Sequence, residues 1–163
     1  MYFGLSEEQQ SLEDNIKKYL KDHASLDTIK EVAGGDSAKA ENIQKGLLEL
    51  GISSLMVPEQ YGGLELDMLF ASVVSGALGS GTAPTPYAGA YVMAPIALTL
   101  AGSDSQKESW LPKIAGGEAV VGIGISEYVG AREDAAITFS NNTVSGRCLF
   151  VIDAKNADAY ILA

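Results

Sequence analysis

From Tyr87 to Leu100 the residues are apolar nearly all the way round a helical turn. In a chain dissolved in water such a helix has to be enclosed by other elements, because no face of it is suited to solvent. The apolar stretch Ala88 to Ala101 is too short for the roughly 20 residues that span a bilayer, and it contains Pro95, so a buried central helix is expected and not a membrane span. The rest of the chain must therefore supply that helix with walls.

The walls are legible as capped, amphipathic segments. Ser6 and Gln9 stand in the Ser-x-x-Gln spacing of a capping box, and Leu12, Ile16, Tyr19 and Leu20 then recur every three or four residues, which predicts a helix ending near His23. Asp27 to Ser37 is weakly patterned and carries Gly34-Gly35, so a connection with one loose helical turn is expected. Ile43, Leu47, Leu48 and Leu50 give the next helix its apolar face, with Gly51 placed as a left-handed C-terminal cap. Residues 52–66 combine Pro58 and Gly62-Gly63 with Leu55, Met56, Val57 and Tyr61, the mark of an ordered loop packed on the core. Asp67 caps a helix whose Phe70, Val73, Val74, Ala77 and Leu78 face inward. After the central helix, Gly102 and a cap at Ser103 or Asp104 introduce a last helix, buried through Trp110, Leu111 and Ile114.

Past Gly117 the pattern changes. Ala119 to Ile125 is short, β-branched and apolar, as a buried strand requires. Ala136–Phe139, an Asn141-Asn142 turn, Val144–Gly146, Leu149–Ile152 and Tyr160–Leu162 then read as strands of an antiparallel meander. The expected fold class is α+β: a helical bundle over residues 1–117, then over residues 118–163 the beginning of a sheet domain. So short a sheet closes no barrel and leaves an edge unpartnered, from which a truncated chain is expected.

Charge and composition exclude several function classes. The 163 residues carry 11 Lys and Arg against 21 Asp and Glu, a net charge of -10, which leaves no electrostatic footprint for nucleic acid or an anionic membrane surface. The single Cys, Cys148, allows no internal disulfide and is expected as a buried structural thiol. Met1 to Glu8 has neither the basic nor the apolar region of a signal peptide, so the cytoplasm is the expected compartment. No His or Cys cluster has metal-ligand spacing, and the one His, His23, suits a helix C-terminus better than catalysis.

Several segments, taken in order, carry a resemblance. Leu5–Gln9, Leu50-Gly51, Val57–Leu64, Gly102–Lys107 and Trp110–Pro112, continuing through Ile125–Glu127 and Gly146–Val151 to Ala157-Asp158, are similar to the N-terminal part of acyl-CoA dehydrogenases. The resemblance implies a helical N-terminal domain and the opening strands of a β-barrel-like middle domain, with a C-terminal helical domain absent from this chain. It implies FAD as cofactor and an acyl-CoA substrate. The α-hydrogen leaves as a proton and the β-hydrogen as hydride, giving a trans-2-enoyl-CoA. It also implies electron-transfer flavoprotein as acceptor and a homo- or hetero-oligomer. The family's base is a Glu of the C-terminal domain, so no catalytic residue is assigned here; Glu127 matches a structural position.

Residue by residue, the resemblance places Ile125 and Ser126 at the flavin ring, where a donor would stabilise charge arriving over the flavin carbonyl. Read alone, Ser126 is more readily a Ser ending a strand and capping a turn, an order that the resemblance reverses. Phe150, with Val151 and Ile152 following, matches an aromatic position against the flavin, whereas a strand Phe is ordinarily core packing. Arg132 falls near the CoA phosphates or pantetheine, or is a solvated loop residue beside Glu133. Gly89, Ala90 and Ala94 lie on the helix that lines the acyl cavity, where small side chains either leave room for a bulky acyl group or permit close helix packing. Two departures bear on FAD: the stretch Ser126–Asp134 lacks the family's Pro and one Gly, and Ile152 stands where a hydroxyl is frequent. The altered stretch favours a rival reading, a non-catalytic partner subunit or helical interaction module. The isolated chain is expected to hold FAD poorly.

Overall fold

A computed structural model describes residues 4–125 and 137–163. Helix α1, Glu7–His23, starts at the expected capping box: the Gln9 N–H donates to Ser6 Oγ at 3.1 Å and the Ser6 N–H to Gln9 Oε1 at 3.0 Å. Its buried Ile16 and Leu20 pack mainly on α4, Met68–Ser80, which begins where Asp67 accepts from the backbone of Leu69 and Phe70. Ala71, Val74, Ala77 and Leu78 form the inner face of α4, while Phe70 and Val73 are only half-buried. Helix α3, Ser37–Glu49, lies beside α1, and the Tyr19 hydroxyl donates across to the Asn42 and Ile43 carbonyls at 3.2 and 3.3 Å. Gly46 sits directly under the Tyr19 ring, where any Cβ would collide, so a glycine inside a helix is explained by the crossing.

The segment expected to hold one loose turn is in fact helix α2, Leu26–Ala33. Ser25 caps it by accepting from the Thr28 N–H at 3.2 Å, and Lys39 of α3 pairs with Glu31. None of its residues is fully buried, and Leu26 is 71% exposed. The sparse burial explains why its apolar spacing reads weakly.

The loop 52–66 is packed as expected. Ile52, Leu55 and Val57 are at most 1% exposed, and the backbone N–H groups of Leu64, Glu65 and Leu66 donate back to Ser54, Val57 and Leu55. A single 3₁₀ turn, Glu59–Tyr61, ends at Gly62 with φ 84°.

The central helix begins as a π-turn, Ala88–Met93, and continues as α5, Ala94–Ala101. Pro95 supplies the physical reason. Its ring would clash with the carbonyl four residues back in a regular helix, and it donates no hydrogen bond; the wider turn before it, closed by the Ala94 N–H on Gly89 O, relieves both. Ala90, Tyr91 and Ala94 are fully buried, but the enclosure stops short of the expected end, since Leu100 is 81% exposed. Ser103, not Asp104, caps α6, Asp104–Ala115, through a second reciprocal box with Gln106; Leu111 and Ile114 are fully buried and Trp110 half-buried. Among the described residues no helix is long and apolar enough to cross a membrane.

Strand β1, Val121–Gly124, is buried along its whole length and lies on the π-turn. Strands β2, Thr138–Ser140, and β3, Thr143–Ser145, form the expected antiparallel hairpin, with Asn141 and Asn142 at φ 49° and 60° making the left-handed two-residue turn that suits strand twist. The rest of the meander needs correction. Strand β4, Ala159–Leu162, pairs with β1 in parallel, and 149–152 contributes only one antiparallel bridge, Ile152 to Ile123. Phe150 and Asp153 both have φ 54°, so the backbone there cannot remain extended; the chain touches one edge of β1 and turns away. Residues 154–157 then carry it across to the other edge.

Tyr87 and Tyr91, 7% and 0% exposed, are anchored by polar contacts at their tips. The Tyr87 hydroxyl donates to Ala71 O at 3.1 Å, and Gln44 Nε2 donates to the Tyr91 hydroxyl at 3.4 Å. Burial pushes both phenols above the ordinary value of 10.0. In the unfolded chain they ionise near pH 10, whereas in the folded chain they stay neutral, so stability is full below that pH and lost above it. Urea unfolding midpoints should therefore fall above pH 10 and fall less steeply in Tyr91→Phe; an identical slope in the variant would refute the assignment.

Candidate functional site

The candidate residues meet where β1 lies on the start of the central helix. Ile123 exchanges two backbone hydrogen bonds with Ile152, at 2.9 and 2.8 Å, which brings Ile152 onto β1 two residues before Ile125. Val151 packs with Cys148 over Gly124, which has no room for a Cβ; Cys148, expected to be buried, is only half-buried. Ile125 follows β1 and is half-buried against the core.

Phe150 departs from ordinary strand packing. It is 81% exposed and its φ of 54° is rare for a bulky side chain. Among the described residues it does not pack into the core. Leu149 and Ile152, 37% and 39% exposed, continue an apolar surface beside it.

Gly89 faces Ile152 and Asp153 from the helical side. A Cβ built there would stand 3.0 Å from Asp153 Oδ2 and 3.1 Å from both Ile152 Cγ2 and the Ile152 carbonyl oxygen. A side chain at this position would thus require Ile152 and Asp153 to give by a few tenths of an ångström. Ala90 and Ala94 are fully buried within the core.

Asp153 went unrecognised in the sequence, although it joins the two sides. Its Oδ2 accepts from the Gly89 N–H at 2.7 Å and the Ala90 N–H at 3.0 Å. An Asp closing an apolar run just before a turn was the available signal, since Asp tolerates left-handed backbone and binds nearby N–H groups.

Two grooves open from this junction, and Asp153 lines both. One, about 640 Å³, is walled mainly by apolar groups of Val32, Leu78, Pro84, Tyr87 and Ala88. The other, about 450 Å³, shares Pro84 and Thr85 and adds Asp36, Gln44 and Lys155. Ser126 and Arg132 lie outside the described residues, as does Glu127. His23 belongs to another surface, its ring stacked on Tyr19 with centroids 4.6 Å apart. Among the described residues no group of three His, Cys, Asp or Glu side chains could hold a metal ion.

Residues 6–118 match the family model described as "Acyl-CoA dehydrogenase, N-terminal domain". The chain belongs to the acyl-CoA dehydrogenase family. It is 26% identical to mitochondrial isovaleryl-CoA dehydrogenase of Pongo abelii over 98% of its own length and 40% of that protein's. It is 31% identical to (2S)-methylsuccinyl-CoA dehydrogenase of Cereibacter sphaeroides over 71% of its length and 21% of that protein's. The crystal structure of an acyl-CoA dehydrogenase complexed with FAD from Bacillus anthracis shares the fold, with a TM-score of 0.79 at 18% identity over 97% of this chain and 28% of that one. The chain thus spans two fifths or less of each of these proteins.

Gly89→Val should test the close approach. Overpacking at a contact this tight is expected to cost about 1–3 kcal/mol in urea unfolding, whereas Ala88→Val, at an exposed neighbouring position, should change little. Equal effects at the two positions would contradict the geometry.

Proposed function

We propose that this chain forms the helical wall and one flank of the flavin site of an FAD-dependent acyl-CoA dehydrogenase. The observation that carries the reading is the seating of Ile152 and Asp153 on Gly89 and Ala90, which puts the candidate flavin-facing segment against the candidate acyl-facing helix. The residues fit a planar, apolar-faced cofactor: Phe150 presents an exposed ring, and Leu149 and Ile152 extend the surface around it. When bound, FAD supplies the acceptor for the hydride leaving the β-carbon.

Each residue then has a role. Phe150 packs on the flavin with Val151 and Ile152 at its margin, while Ile125 and Ser126 offer backbone and hydroxyl groups to the ring. The acyl group lies in the apolar groove beside Tyr87 and Ala88, bounded by the helix that carries Gly89, Ala90 and Ala94. Arg132 pairs with a CoA phosphate, a contact suited to a guanidinium. Removal of the α-proton is assigned to a base outside these residues. Electron-transfer flavoprotein as acceptor, an oligomeric assembly and a cytoplasmic setting belong to the same proposal.

The loss of a hydroxyl at Ile152 supports a second reading, a partner subunit that shapes the acyl pocket without holding the cofactor. Chemical-shift mapping of the isotope-labelled chain separates the two. Under the first reading FAD moves the resonances of Ile125 and Phe150–Ile152, and an acyl-CoA moves those of Thr85 and Ala88. Acyl-CoA shifts without FAD shifts would favour the partner subunit, and no shifts at millimolar ligand would overturn both.

A further inference from the structure

Asp153 spans 64 positions of sequence to reach Gly89 with a single carboxylate oxygen that accepts two backbone hydrogen bonds. The N–H groups it meets are ones that the π-turn cannot satisfy, because the helical ladder opens only with the Tyr91 N–H on Tyr87 O, at 2.9 Å. Three features serve this one contact. Asp153 adopts φ 54°, which Asp tolerates better than most residues. Gly89 has no side chain that would hold the carboxylate away. Ile152, the preceding residue, is fixed to β1 by two backbone hydrogen bonds. A carboxylate accepting from amides at this burial is a stronger tie than a neutral pair.

We propose that Asp153 is a positioning residue, fastening the start of the central helix to the segment Phe150–Ile152 so that the acyl-facing wall and the flavin-facing surface keep a fixed spacing. The fastening itself stands on the geometry; what it positions rests on the functional reading above. Asp153 also borders both grooves, so release of the contact would change the groove mouth and the pose of Phe150 together. The tie requires an acceptor oxygen at this reach and no proton transfer. Asparagine can therefore replace aspartate, and alanine cannot.

Amide hydrogen exchange, read residue by residue in the isolated chain, tests the fastening without any ligand. In Asp153→Ala, exchange at Gly89 and Ala90 should accelerate about tenfold or more relative to buried amides of α1 and α6, while Asp153→Asn should keep most of the protection. Uniform acceleration across all helices, unchanged exchange, or an asparagine variant that behaves like alanine would overturn the proposal. Should the alanine variant fail to fold, Asp153→Ser, too short to reach both amides, takes its place in the same comparison. A second arm reads positioning: acyl-CoA added to the wild-type chain should move the Phe150–Ile152 resonances, and this remote response should vanish in Asp153→Ala and return in Asp153→Asn. If the wild-type chain binds no acyl-CoA, the functional reading fails while the exchange arm still decides whether Asp153 is the fastener.

Discussion

The two backbone hydrogen bonds between Ile123 and Ile152 are the constraint on which the rest of the site depends. The helical core could be assembled without them, since its apolar faces are complementary in themselves. Without them nothing would hold residues 149–153 against β1, and Asp153 would not meet the π-turn. One antiparallel bridge on one edge of β1 and a parallel strand on the other embed β1 between partners, which is how a four-residue strand can be buried along its whole length.

The helices were readable because their signals are local. Ser6, Asp67 and Ser103 act within three residues of themselves, and side-chain oxygens on orphan N–H groups mark a helix start wherever they occur. Helix α2 was obscured because its face is only partly covered, so tertiary burial never sharpened its apolar pattern. The π-turn was hidden for another reason: periodicity registers a helix but not the widening that Pro95 imposes on the turn before it.

The pairing of the strands was beyond sequence pattern. An apolar run such as Leu149–Ile152 looks like a strand, yet its backbone conformation is set by distant partners, and left-handed φ at Phe150 and Asp153 breaks it. The same distance hid Asp153, whose hydrogen-bond partners lie more than 60 residues away. Of the candidate residues, Ile152 and Gly89 come into direct contact, Ile125 and Val151 flank β1, and Phe150 stands exposed beside them. Family resemblance picked out these positions; only the three-dimensional contacts show how little space a side chain at 89 would find.

The central claim is that the segment ending in Ile152 and Asp153 is seated on the first turn of the central helix. The most direct test is the nuclear Overhauser effect between the Gly89 α-protons and the Ile152 γ2-methyl group in the labelled chain. The contact geometry at Gly89 predicts a strong cross-peak, accompanied by one between the Ile152 and Ile123 amide regions. A well-dispersed spectrum in which the helical core is intact but neither cross-peak is present would contradict the account.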